Sequence, residues 1–283
     1  MVIGIGQNKA LKSKQRGNVM TSPYDAIASV YDKINAEIDY SAWADFIEKC
    51  FDKYLHFRPS LVFDMACGTG SMTVELARRG YDMIGSDISQ EMLYKLYDKL
   101  YDEDGEPIPE IINDVLVLNQ DMRDFELYGT VGAVTCCLDS INYLTDPNDL
   151  KKCFSCVHNY LDPDGLFIFD VNTPYKFENI YANNSYIYEC INDDGSSSYC
   201  GWQNNYDPET KLCDFYLSVF TENEKGHYIR SDEEQTERCY SEEELIKTLK
   251  SCGLEPLGIF SDLNFSETIK DCERWYIVAR AIK

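Results

Sequence analysis

Residues 61–70, LVFDMACGTG, decide how this chain folds. The apolar run that opens them has the character of a strand buried on both faces. It breaks into Cys67-Gly68-Thr69-Gly70, a turn of small residues, and the helix-patterned SMTVELARRG follows. Strand, glycine turn and helix in that order make a nucleotide-binding βα unit, whose backbone must come close to its ligand. Asp64 narrows the choice of ligand. A carboxylate just before the turn repels a pyrophosphate and attracts an ammonium or a sulfonium. Thr73, moreover, stands where the dinucleotide fingerprint GxGxxG would need its third glycine.

S-adenosylmethionine carries both cationic groups and no phosphate. The turn therefore reads as a site for this methyl donor, with Asp64, Ala66, Cys67, Gly68, Thr69 and Gly70 around its amino-acid portion. A second strand, in YDMIGSDIS, ends at Asp87, an acid placed to accept from ribose hydroxyls. Ser89 then caps the helix SQEMLYKLYDKL. That acid is common to NAD and methyl-donor sites, so the choice between them rests on Asp64 and the missing glycine. The third strand, VLVLNQ, leads to Asp121, beside Met122 and Arg123. An acid there suits an adenine amino group, and equally a turn or helix cap. The fourth strand, GAVTCCL, runs into Asp139-Ser140-Ile141-Asn142-Tyr143. Carboxyl ends of strands in open α/β sheets face the ligand crevice, so Asp139, Ser140, Asn142 and Tyr143 are candidates for a reaction chamber. Asp139 and Tyr143 are the candidates for taking a proton from the methyl acceptor.

Around this centre the chain divides by pattern. Residues 1–19 carry Lys9, Lys12, Lys14 and Arg16 without an acid and read as a solvated, flexible tail. Residues 24–54 are helical in pattern. Trp43, Phe46 and Ile47 read as core, whereas Tyr24, Tyr31 and Tyr40, with polar tips on apolar rings, suit a lid over the ligand cleft. Residues 173–239 change to alternating β-formers broken by turn signals, an antiparallel insertion of about four strands. Its Trp202, Tyr186, Tyr188, Tyr199 and Tyr216 could wall the acceptor site, pack a β-layer or form a dimer face. The helix SEEELIKTLKSCG and two further strands close an α/β domain made of residues 20–172 and 240–283.

Composition sets the outer bounds. A net charge of −23 argues against a nucleic-acid partner, which needs a basic footprint. No apolar run approaches a membrane span. Twelve cysteines in a chain long enough for a full core read as reduced core thiols of a cytoplasmic protein. Cys153 and Cys156, with His158 nearby, lack the second ligand pair of a tetrahedral metal site, so no metal is expected.

Taken together, AIASVYDKI with DYSAW, DMACGTG, GSDIS-x-x-ML, QDMRDF, CLDSINYL and GLFIFDVNTPYKF resemble the class I S-adenosylmethionine-dependent methyltransferases from Ser22 onward. Within that class they resemble a group of small bacterial cytoplasmic enzymes with a β-rich insertion after the fifth strand. The resemblance implies a Rossmann-like sheet of seven strands, mostly parallel, the last antiparallel. It implies methionine contacts from Asp64, Ala66 and Gly68, and ribose contacts from Asp87. Ile88 and Met92 would lie against the adenine, Asp121 and Met122 at its edge, Leu138 and Asp139 near the sulfonium, and Tyr24, Tyr31 and Tyr40 in the lid. Ala66-Cys67 departs from the family's usual glycine. The implied activity is methylation of nitrogen or oxygen on a small molecule by a monomer or homodimer. The alternative is a non-catalytic module that senses the nucleotide or docks a partner.

Overall fold

The computed structural model describes residues 27–28, 30–111, 115–191 and 195–283. Its main sheet is built from β1 (Leu61–Met65), β2 (Asp82–Asp87), β3 (Val115–Asn119), β4 (Val131–Cys136), β5 (Leu161–Asn172), β10 (Leu254–Phe260) and β11 (Arg274–Ala281), in the spatial order β10-β11-β5-β4-β1-β2-β3. The strands β1 to β5 pair in parallel, and β11 runs antiparallel to both β5 and β10. The seven-stranded sheet with an antiparallel last strand is therefore present. Such order requires right-handed crossovers, supplied by α3 (Ser71–Arg78), α4 (Gln90–Leu100), α5 (Pro147–Tyr160) and α6 (Glu242–Ser251). Both faces of the sheet are covered, which is why β4 is buried at every position. Phe63, Phe125, Phe154, Phe167 and Phe169 fill one side; Phe46, Ile47, Phe51 and Leu76 fill the other.

Local signals fix where these elements start and stop. Ser89 accepts from Met92 N at the start of α4, and Ser241 forms a reciprocal capping box with Glu244 at the start of α6. Residues 162–165, DPDG, form an irregularity inside β5, where Asp164 takes φ 63° and the register against β4 shifts.

The helical reading of residues 24–54 needs correction. The described part forms a short α1 (Tyr31–Ile34), a break, and then α2 (Tyr40–Tyr54), whose first turn is capped by Asp39 accepting from Ala42 N. Tyr24 lies outside the described residues, as does the tail. Residues following β5 form a π-helical turn, Lys176–Tyr181, and then a second sheet of β6 (Ser185–Ile191), β7 (Ser197–Asp207), β8 (Leu212–Glu222) and β9 (Tyr228–Arg238), paired antiparallel in chain order. Its inner face packs on α1 and the π-helical turn through Phe177, Phe215, Leu217 and Val219. That contact holds the insertion over the carboxyl ends of the parallel strands. Among the described residues, no helix is long and apolar enough to cross a membrane.

Candidate active site

Adjoining cavities open at the carboxyl ends of β1, β2, β3 and β4. The first, about 330 Å³, is lined by Gly68, Asp87, Ile88, Met92, Asp121 and Met122 among others. A narrow cleft continues from it past Asp64, Ala66, Cys67, Thr69 and Leu138, with Tyr40 on its far side. The third, about 320 Å³, lies between β4 and the insertion and is lined by Asp139, Tyr143, Lys176, Trp202, Glu237 and Arg274 among others. Tyr31 lines all three.

The glycine turn is held open from below. Asp64 is 1% exposed, and its carboxylate accepts from Thr73 Oγ1 at 2.6 Å and Thr135 Oγ1 at 2.9 Å. Burial pushes its carboxyl up to about 6, against the pull of those two hydroxyls. Asp87 accepts from Gly68 N and from Ser89 N, both at 2.9 Å, so it ties the turn to the start of α4. Burial raises this carboxyl too, partly offset by the amides. Ala66, where the family favours glycine, adopts φ 55° and lines both cofactor-side cavities. Gly70, expected at the ligand, is not among the lining residues. It adopts φ 74°, and a β-carbon there would fall 2.2 Å from Leu96 Cδ1, so it serves the packing of α3 on α4.

Of the two readings the sequence allowed for Asp121, the turn is present, with its carboxylate accepting from Arg123 N at 2.9 Å, and the side chain also borders the larger cavity. Burial raises its carboxyl, but the hydrogen bonds and charge of Arg123 outweigh this and hold it low. Arg123 reaches on to Asp149 at 3.0 Å, so its guanidinium is committed to two acids. The short helix α1 is tied to the glycine turn. Thr69 Oγ1 donates to Asp32 Oδ1 at 2.5 Å, and Lys99 Nζ sits 2.7 Å from Asp32 Oδ2. Tyr40 stands at the entrance of α2, its hydroxyl pushed up to about 12 by burial.

In the third cavity the geometry reassigns several expected roles. Asp139, expected to take a proton, adopts φ 56° and pairs with Arg274 at 2.7 Å. Burial pushes its carboxyl up, but the Arg274 guanidinium and Lys176 ammonium outweigh that and hold it below the ordinary range. Such a carboxylate is a weak base and an anchor for Arg274, which also contacts Asp170. Asn142 is fully buried and staples the site, donating to Arg238 O at 2.8 Å and accepting from Asn172 N at 2.9 Å. Tyr143 does face the cavity, its hydroxyl 3.0 Å from Gln235 Oε1.

Sequence reasoning missed Glu237. It is 1% exposed, and its Oε2 accepts from Asn172 Nδ2 at 3.1 Å. Burial and the charge of Asp139 push its carboxyl up to about 8, although Asn172, Lys176 and Tyr143 pull the other way. Asn172 Oδ1 in turn accepts from Lys176 Nζ at 3.0 Å. The signal was faint: in HYIRSDEEQTE, alternation places Glu233, Gln235 and Glu237 on one face, and that face turns inward.

The two cofactor-side cavities are lined by Asp64, Asp87, Asp121, Asp149 and Glu234 against one cation, Arg123. Those acids fit a cationic amino-acid tail and disfavour a diphosphate, in line with the sequence argument.

Comparison with known proteins agrees. Residues 62–165 match a family described as a methyltransferase domain. The Bacillus subtilis (strain 168) protein YqeM, whose name describes it as a methyltransferase, is 30% identical over 261 residues, 92% of this chain and 98% of its own. The crystal structure of an S-adenosylmethionine-dependent methyltransferase from Clostridium acetobutylicum ATCC 824 superposes with a TM-score of 0.76 at 34% identity, covering 92% of this chain and 99% of that one. A glycine/sarcosine N-methyltransferase from Halorhodospira halochloris is 31% identical over 113 residues, 38% of each chain. The fold is shared at 17% identity with the sugar N-methyltransferase KedS8 from Streptoalloteichus, with a TM-score of 0.73 over 98% of this chain and 100% of that one.

Proposed function

Because the chain belongs to the S-adenosylmethionine-dependent methyltransferases, we propose that it methylates a nitrogen or oxygen of a small molecule held in the cavity beneath the insertion. The observation that carries this reading is the chamber of about 320 Å³, which meets the narrow cleft at Tyr31 and Leu138. That volume suits a metabolite. The chain's net charge of −23 makes nucleic acid a poor partner. Relatives named for glycine and for amino-sugar methylation support a small acceptor.

When bound, S-adenosylmethionine supplies a methyl group on a sulfonium, whose departure as a thioether needs no acid. Asp64 and the turn backbone would hold its amino-acid portion, Asp87 its ribose, and Ile88, Met92 and Asp121 its adenine. The remaining work falls to positioning, which contributes roughly 7–11 kcal/mol where reactants are well aligned. Leu138 and Asp139, both at positive φ, bend the chain after β4 so that backbone lies between the cleft and the chamber. Tyr31 and Tyr40 cover the cleft and exclude water.

Calorimetry and a methyl-transfer assay test this. S-adenosylhomocysteine should bind in the micromolar range, about −8 kcal/mol, NAD should not bind, and Asp87→Ala should abolish cofactor binding. Tritiated methyl from the cofactor should then enter small molecules of a metabolite extract. Label appearing only in protein or RNA would refute the proposal.

A further inference from the structure

The chamber has a definite polarity, read here on the basis of the function just proposed. Its aromatic wall is Tyr31, Tyr181, Tyr186, Tyr188 and Trp202. Within that wall, Trp202 Nε1 and Asn204 Oδ1 are buried and have no hydrogen-bond partner among the described residues. Both residues lie on β7 two positions apart, so their side chains share one face, and both line the chamber. Asn204 is 2% exposed, and its amide nitrogen points to Tyr181 O, which aims the oxygen elsewhere. Buried polar atoms are costly to leave unpaired, so a donor and an acceptor side by side mark a place for a hydroxyl.

The same chamber carries charged groups beside Tyr181. Arg274 and Lys176 face Asp139, Asp170 and Glu237, which leaves one negative charge uncompensated when every group is ionised. Arg274 engages both Asp139 and Asp170, Lys176 is held through Asn172, and Asp170 does not line the chamber, so Glu237 is the acid that can present the surplus to a ligand. A ligand ammonium would balance it.

We propose that the acceptor is an amine bearing a neighbouring hydroxyl, with Glu237 as the catalytic residue that takes the proton from its nitrogen and Trp202 with Asn204 as the subsite that reads its hydroxyl. An ammonium has no free electron pair and cannot attack. The N–H bond breaks with its pair left on nitrogen, and the proton passes to a carboxylate oxygen of Glu237. The freed pair then forms the bond to the methyl carbon as the carbon–sulfur bond gives its electrons to sulfur. Asn172 is a positioning residue, since it holds Glu237 Oε2 and reaches Lys176 through its own oxygen. The charged and titratable groups that face Glu237 are Asp139, Lys176, Arg274, Tyr143, Tyr181 and Cys213. Its carboxyl, pushed up to about 8, is protonated at neutral pH until an amine arrives.

The test uses the full chain saturated with S-adenosylhomocysteine and three probes: trans-2-aminocyclohexanol, cyclohexylamine and cyclohexanol. Calorimetry should show the amino alcohol binding at least tenfold more tightly than either probe lacking one group. Its affinity should rise about tenfold per pH step between pH 6 and 7.5, because the complex holds one proton fewer than its parts. In Glu237→Gln that slope should flatten, with S-adenosylhomocysteine affinity unchanged. In Trp202→Phe the amino alcohol should fall to the affinity of cyclohexylamine, which itself should not move. Equal binding of all three probes, no binding of the amino alcohol, or a wild-type slope in Glu237→Gln would each overturn the inference. Failure of S-adenosylhomocysteine to bind the unaltered protein would instead strike the function proposed above.

Discussion

At the scale of single residues, burial decides the chemistry of two acids. Asp64 sits beneath the cofactor cleft with two hydroxyl donors and a carboxyl pushed up to about 6 by burial. A cation can draw on it only when it is ionised. Affinity for S-adenosylmethionine should therefore rise as pH increases through about 6 and level off above, a dependence that Asp64→Asn should remove; titration calorimetry from pH 5 to 8 measures it. Glu237 behaves differently because its raised value opposes folding. Folding takes up a proton between the ordinary glutamate value and about 8, so stability is full at low pH and declines across that window. Glu237→Gln should melt higher than the unaltered protein at pH 8, by several degrees, with the gap closing toward pH 5. Asp64 was legible in the sequence because a fixed motif surrounds it. Glu237 was not, because an acid-rich alternating strand looks the same whichever face turns inward, and packing against the parallel sheet makes that choice.

At the scale of elements, the lid shows how a helical pattern can mislead. Apolar spacing runs through residues 24–54, yet the chain breaks after Ile34, and Asp39 starts a new helix by capping it. The break frees α1 to turn over the glycine loop, where Asp32 meets Thr69 and Lys99. The pair is partly exposed, and such contacts contribute about 1 kcal/mol or less. Asp32→Ala should weaken cofactor binding about two- to fivefold, mainly through faster release, as stopped-flow displacement would show. The four strands of the insertion were legible from alternation and turn residues. Their docking onto α1 was not, because it depends on contacts between residues far apart in the chain.

At the scale of the whole molecule, the resemblance carried by the motifs implied a mostly parallel sheet of seven strands with the last antiparallel, and the structure adds the spatial order of those strands. The crevice at the strand ends was foreseen, but the full wall of the third cavity was not, because it draws on residues from Ile27 to Arg274. Tyr31 borders all three adjoining cavities. A shared wall makes the two reactants thermodynamically reciprocal: whichever arrives first sets the ring for the other, and each must alter the other's affinity by the same factor. Binding of trans-2-aminocyclohexanol with and without S-adenosylhomocysteine, and the converse titration, should return one common factor greater than unity. Tyr31→Ala should bring it to one. A single side chain would thereby make the enzyme heterotropically cooperative, so that scarcity of either reactant is felt as a loosened grip on its counterpart.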